Sequence, residues 1–283
     1  MKIAVIADLH GNYYALQSVL DCLQKKHIDK IFLAGDIIGG PKPNIIIDLV
    51  KNSTISAIIG NQEEYLFDQL QNPKKYDSQR WGMIKAVNQR ITNINIDYLR
   101  KLPKRLNLFL NNHKILISHS TPENSNEVFF PEKNIQRVFQ ILDNVSEDIF
   151  ICGHSHRQWT LNHNKTLAIN PGSVGFPIGD RFKVYFTILS IDSELKVDNY
   201  KIDYDHSGFL NDFKEEEFFN RIGPIGKAMF YTLLSGESVL MDFISYIKKI
   251  NNIPSTTEIE ISDQMLFSAE KKYYWEKYEC YNE

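Results

Sequence analysis

The sequence predicts an α/β fold, with a functional site along the carboxyl edge of a sheet and a helical C-terminal appendage. Three observations carry this reading. Short apolar, partly β-branched runs alternate with helical stretches near the N-terminus. Each of those runs ends in a polar residue beside a glycine. From about residue 205 onward, strand alternation gives way to helical periodicity.

The elements follow in order. Ile3-Ala4-Val5-Ile6-Ala7 reads as a buried strand leading into Asp8-Leu9-His10-Gly11-Asn12. Residues two apart on an extended segment share a face, so Asp8 and His10 are expected to point together. Tyr14, Leu16, Val19, Leu20 and Leu23 carry helical spacing over 13–26. The run Lys30 to Ala34 ends at Gly35-Asp36, and a short helix is expected over 44–51 after the turn cluster Gly39-Gly40-Pro41. A third strand, Ile55 to Ile59, ends at Gly60-Asn61. Residues 62–102 read as mainly helical, with Trp81, Ile84, Val87, Ile91 and Leu99 as core contacts. Leu106–Leu110 and Lys114–Ser118 form a hairpin-like pair around Asn111-Asn112-His113, and the second strand runs into His119. After a helix near 133–143, the strand Ile149 to Cys152 runs into Gly153-His154-Ser155-His156. Strands near 157–161, 166–169, 182–191 and 194–202 are expected to form an antiparallel meander, the second sheet. The domain boundary is placed at 204/205, with 205–283 helical, acidic in balance and broken at Gly223-Pro224.

Composition narrows the function classes. A hydrophobic share of 43% and a charged share of 24% are globular values. A net charge of -3 gives no basic face for nucleic acid or an anionic membrane. No apolar run approaches ~18 residues, so no transmembrane helix is expected, and the N-terminus shows no leader pattern. Cys22, Cys152 and Cys280 are dispersed and odd in number, as expected in a reducing cytosol. The expected location is cytoplasmic. Oligomeric state is left open, a dimer among the options.

The polar strand ends, collected in order, are Asp8, His10, Asp36, Asn61, His119, His154 and His156. Two ions ~3.5–4 Å apart need a shared carboxylate with nitrogen and oxygen ligands on either side, and such a pair clamps an in-line displacement at phosphorus. Asp36 is the natural bridge, with Asp8, His10 and His156 for one ion and Asn61, His119 and His154 for the other. The expected cofactors are two divalent ions, Mn²⁺ first, with Fe or Zn as alternatives. A metal-bridging hydroxide would then attack phosphorus, with Asp36, Asn61 and His119 as the catalytic set.

These residues resemble the calcineurin-like metallophosphoesterases, whose fold is a four-layer α-β-β-α sandwich. The resemblance rests on Asp8-Leu9-His10, Gly35-Asp36, Gly60-Asn61-Gln62-Glu63, His119 and Gly153-His154-Ser155-His156, in the family's order and spacing across residues 1 to about 200. Asn170-Pro171-Gly172-Ser173 also resembles a family segment. The resemblance implies the same metal set, and a substrate phosphate contact for Asn12; the other reading of Asn12 is a turn former. A subgroup with Gly-Asp-Ile-x-Gly, a Leu-Pro pair (Leu102-Pro103) and a helical tail is similar in outline, and it includes enzymes active on diadenosine tetraphosphate.

One departure shapes the substrate expectation. Where the family has a histidine after the asparagine, this chain has Gln62, a candidate substrate contact that cannot donate a proton as an acid. General-acid help is worth ~10²–10⁴ in rate, so phosphoanhydrides or activated diesters with stable leaving groups are favoured. His27 and His113 are the alternative proton donors considered, and Arg157 and Arg181 the candidate phosphate partners. Glu63 either steadies the ligand set or is a first-turn helix acid; Cys152 reads as a core residue. The expected partner is a small phosphoester or nucleotide. The alternatives are a serine/threonine phosphoprotein phosphatase and a catalytically weak metal-binding scaffold.

Overall fold

The structure is a computed structural model that describes residues 1–192, 194–254, 260–279 and 281. Cys280 lies outside them. The described strands are β1 (Lys2–Ile6), β2 (Lys30–Leu33), β3 (Ile55–Ala57), β4 (Arg105–Leu110) and β5 (His113–Ser118). They continue with β6 (Ile149–Ile151), β7 (Gln158–His163), β8 (Thr166–Pro171), β9 (Lys183–Ile191) and β10 (Leu195–Asp203). The helices are α1 (Tyr13–Gln24), α2 (Pro43–Lys51), α3 (Asn61–Gln71), α4 (Gly82–Asn88), α5 (Asn93–Lys101) and α6 (Pro131–Leu142). The C-terminal set is α7 (Ser207–Lys214), α8 (Glu216–Arg221), α9 (Gly223–Ser235), α10 (Val239–Ile250), α11 (Asp263–Glu270) and α12 (Glu276–Glu279).

Two five-stranded mixed sheets pack face to face, in the orders β10-β9-β1-β2-β3 and β4-β5-β6-β8-β7. β1 shows why the run Ile3 to Ile6 is apolar on both sides. Ile3 and Val5, with Leu189 beside them on β9, face Ile117 and Ile151 of the other sheet, whereas Ala4 and Ile6 meet Leu16 and Val19 of α1. On the outer face of the second sheet, α6 covers Phe150, Trp159 and Ala168 through Val138 and Ile141. The result is helix, sheet, sheet, helix, with helices again at the C-terminus.

The expected antiparallel meander is corrected by the strand pairing. β7 and β8 close the second sheet, where β8 runs parallel to β6 with Phe150 opposite Ala168. β9 and β10 return to the first sheet, and β9 fills the free edge of β1 with Ala4 opposite Ile188. Alternation marks a strand but does not select its neighbour, which depends on which edge is open. The hairpin turn is also shorter than expected: Asn111 and Asn112 take left-handed φ values of 44° and 65°, and His113 pairs with Leu110.

The C-terminal helices surround an aromatic core of Phe209, Phe213, Phe218, Phe243 and Trp275, which also takes in Met83 and Ala86 of α4 and Phe176. No helix among the described residues is long and apolar enough to cross a membrane.

Candidate metal centre

The strands stop before the ligand candidates begin. β1 ends at Ile6, β2 at Leu33, β5 at Ser118 and β6 at Ile151. The polar residues follow in tight loops, where Asp8, His10, Asp36, His154 and His156 have φ values of 56°, 44°, 55°, 64° and 56°. Left-handed backbone costs roughly 1–2 kcal/mol for a residue with a Cβ, and clusters of it occur where function over-determines the geometry. The extended i, i+2 arrangement expected for Asp8/His10 and His154/His156 is therefore replaced by loops that curl at each of these residues.

Backbone bonds zip the first two loops together. The N–H groups of Asp8, His10 and Gly11 donate to the carbonyls of Gly35, Asp36 and Ile37 at 3.1, 3.0 and 2.9 Å. A Cβ on Gly35 would stand 2.7 Å from His119 Nδ1, so glycine is what lets that ring lie against the backbone.

Six of the side chains form two clusters, Asp8/His10/His156 and Asp36/His119/His154, each with its ligand atoms within 4.8 Å of one another. Asp36 stands between them, its Oδ2 3.6 Å from His10 Nε2 and 3.4 Å from His119 Nε2. Asp8 Oδ1 is 3.6 Å from His156 Nε2 and 4.0 Å from His119 Nε2. The seventh, Asn61, brings its Oδ1 to 2.9 Å from His119 Nε2.

Tautomers test whether this set fits cations. His119 Nδ1 lies 2.7 Å from the Ala34 carbonyl and His156 Nδ1 lies 2.8 Å from that of Phe176. A carbonyl only accepts, so both Nδ1 atoms carry hydrogen and each neutral ring turns a bare Nε2 lone pair inward. That lone pair in His119 faces the Asn61 oxygen, and His156 Nε2 faces His10 Nε2 at 2.9 Å. His154 Nε2 is buried without a hydrogen-bond partner. Inward lone pairs beside two buried carboxylates call for positive charge, and this mixed imidazole and carboxylate set fits divalent transition ions.

Without an ion, a proton on His119 Nε2 supplies the positive charge that the carboxylates call for. Burial works against charge on His119, but Asp36 and Asp8 outweigh it and push the imidazole up to about 10. Burial likewise opposes ionisation of Asp36, yet the charge and hydrogen bond of His119 hold its carboxyl well below the usual range. Asp8 is raised well above that range, chiefly by burial. Burial lowers His10 and His156, and with the charge of His119 it lowers His154 to about 4, so these three imidazoles are neutral near pH 7.

Glu63 both begins a helix and steadies the centre. Fully buried, it accepts from the N–H groups of Gly60 (2.7 Å), Ile37 (2.9 Å), Ile38 (2.9 Å) and Asp36 (3.2 Å). Burial, then Asp36, pushes its carboxyl up to about 7 against those donors. On the other side, Ser173 Oγ donates to Asp8 O at 2.8 Å and Asn170 Nδ2 to Gly153 O at 2.6 Å, so the Asn170–Ser173 segment ties both histidine-bearing loops together.

Other expected site residues are placed as follows. Gln62 lines the cavity beside Asp36, and its backbone N–H donates to Asp36 Oδ1 at 2.9 Å. Asn12 caps α1 by accepting from Ala15 N–H at 3.1 Å and donates to Tyr204 and Gly175, fully buried and outside the cavity lining, as the turn-former reading has it. Arg157 lies over the Phe130 ring and Arg181 donates to Tyr281 O at 2.8 Å, so neither reaches the centre. His27 and His113 precede β2 and open β5, at the opposite ends of those strands from Asp36 and His119. Cys152 is a buried core residue, its thiol pushed up by burial.

The centre opens into a cavity of about 370 Å³. Tyr65, Arg80 and Trp81 line it, none of them read as site residues from the sequence. Tyr65 was findable, since it lies four residues after Asn61 on the same face of α3. The far wall comes from α9 and α10, and no local signal in the sequence places those helices opposite the metal ligands.

Over residues 1–194 the chain matches the calcineurin-like phosphoesterase superfamily domain, and it belongs to that family. It is 30% identical over 223 residues to an uncharacterized protein of Methanocaldococcus jannaschii, covering 72% of this chain and 88% of that one. Two crystal structures share the fold: a metallophosphoesterase from Sphaerobacter thermophilus and a hypothetical protein from Pyrococcus horikoshii. The first has TM-score 0.63 at 21% identity over 78% of this chain and 98% of the other. The second has TM-score 0.67 at 20% identity over 78% and 97%.

Proposed function

We propose that this phosphoesterase-family protein is a two-metal hydrolase of phosphodiester or phosphoanhydride bonds. The observation that carries the reading is Asp36, whose carboxylate lies between two Asp/His clusters with inward-facing Nε2 atoms. Bound divalent ions would supply Lewis-acid stabilisation of charge at phosphorus. Asp8, His10 and His156 would hold one ion and Asn61, His119 and His154 the other, with Asp36 shared and Mn²⁺ the activating metal. The carbonyls of Ala34 and Phe176 keep His119 and His156 in the tautomer that presents Nε2. Glu63 fixes the loop that carries Asp36. Gln62 and Arg80 are among the polar groups lining the cavity, with Tyr65 and Asn126, and Gln62 leaves the departing oxygen without an imidazole acid.

A small substrate is supported over a phosphoprotein because the C-terminal helices wall the cavity. The appendage is proposed to begin at 205, and Cys22 and Cys152, both free thiols, fit a reducing cytosol. The test is elemental analysis with Mn²⁺-dependent assays on an aryl diester, an aryl monoester, a dinucleoside polyphosphate and a phosphopeptide. Asp36→Asn and His119→Ala should each lower diester hydrolysis by about 10³-fold or more while the circular dichroism spectrum is kept. Near-wild-type turnover by either variant removes the assigned roles.

A further inference from the structure

The cavity wall facing the ligand set is apolar to a degree that phosphate chemistry does not require. Ile225 and Met229 stand one turn apart on α9, and Leu240, Met241 and Ile244 form a matching stripe on α10. α9 is largely apolar on two faces because it serves both. Ala228, Phe230 and Leu233 enter the aromatic core, while Ile225 and Met229 are left half-buried at the cavity. Leu240 and Ile244 are half-buried at the same place, and Met241 is 43% exposed. Among the lining residues, Arg80 is the lysine-or-arginine cation, and its guanidinium lies 4.7 Å over the Trp81 ring. A long polyphosphate would therefore meet little compensating charge beyond bound divalent ions and Arg80.

We infer that the α9–α10 wall binds the apolar organic group of the substrate, so that the natural substrate class is a phosphoester carrying an alkyl or aryl group rather than a dinucleoside polyphosphate. The inference rests on the phosphoesterase reading for the position of the phosphate. The residues themselves set the rest: a polar end at Asp36 and Gln62, an aromatic and cationic rim at Trp81 and Arg80, and a mainly aliphatic far wall relieved by Thr232 and Ser238. The unbranched side chains of Met229 and Met241 tolerate chains of differing shape, and the volume of about 370 Å³ falls in the range of small-molecule sites.

The experiment is a calorimetric titration of the full chain, in Mn²⁺, with methyl-, butyl- and octylphosphonate and with diadenosine tetraphosphate. A parallel series measures hydrolysis of methyl, butyl and octyl 4-nitrophenyl phosphate, which share one leaving group. Affinity and kcat/KM should rise with chain length, by up to about fourfold per fully buried methylene, with an increasingly negative heat-capacity change. Ile244→Asn should flatten both series. Should that variant fail to fold, Met241→Glu at the exposed mouth should flatten them without burdening the core. A flat wild-type series, or tighter binding of diadenosine tetraphosphate than of octylphosphonate, overturns the inference. A flat series with turnover of the methyl ester leaves the phosphoesterase reading standing. A rising binding series with every ester inert leaves the apolar wall standing and removes the hydrolase.

Discussion

The metal-centre rim and the α9–α10 wall face one another across one cavity but are built on opposite plans. The rim owes its geometry to backbone: five left-handed residues, glycines pressed against ligands and four N–H groups converging on Glu63. The wall is regular helix whose contribution is side chains alone. Chemistry is thus held by parts that tolerate little change, and the surface opposite can vary while its helices persist.

Glu63→Ala and Phe243→Ala are the sharpest test of that division. The first leaves four buried N–H groups without their acceptor and should lower unfolding free energy by about 3–5 kcal/mol, with a loss of about 10–100-fold in metal affinity. The second removes a fully buried ring of α10 and should cost a similar ~3–5 kcal/mol, while metal affinity stays as in the parent. Urea denaturation and metal titration read both quantities; equal loss of metal affinity in the two variants would break the division.

Gln62→His probes the rim's polar side. It should raise hydrolysis of alkyl monoesters relative to activated diesters by up to about 10²-fold, and an unchanged ratio would show that no proton is missing at the leaving group. A smaller effect concerns pH. In the metal-free chain His119 is raised from its ordinary 6.5 to about 10, so its contribution to stability is present below 6.5 and lost as pH rises towards 10. Metal uptake must displace that proton, and apparent affinity should climb by about tenfold per pH unit in the same interval. Calorimetry in buffers of different ionisation enthalpy would detect the release; uptake without it would show that His119 Nε2 is already bare in the metal-free chain.

Legibility followed the same divide. The candidate ligands were readable because most lie in a short motif with a glycine (His119, between two serines, does not), although the convergence of Asp8/His10 and His154/His156 came from left-handed turns and not from the extended spacing that suggested it. Alternation located β7 to β10 but could not assign them to sheets, since pairing depends on which edges other strands leave open. Asn12 carried a polar group at the right place in the sequence, yet the start of α1 and Tyr204 take up its hydrogen-bonding capacity. Arg157 and Arg181 were no more suggestive than Arg80, which only the packing of the Gln79–Trp81 turn brings to the cavity. Helical periodicity was visible across α9, but periodicity does not say that Ile225 and Met229 line a cavity while Ala228 and Phe230 enter the core.

Phe176 joins the two regions. Its carbonyl accepts from His156, its ring sits edge-on to His10 at 5.4 Å, and its other side meets Phe209 and Phe213 at 6.0 Å each. Any rearrangement of α7 around those rings is therefore transmitted through one residue to the orientation of two imidazoles. The C-terminal helices are mechanically geared to the metal centre, and evolution can retune its alignment from a position that never touches an ion.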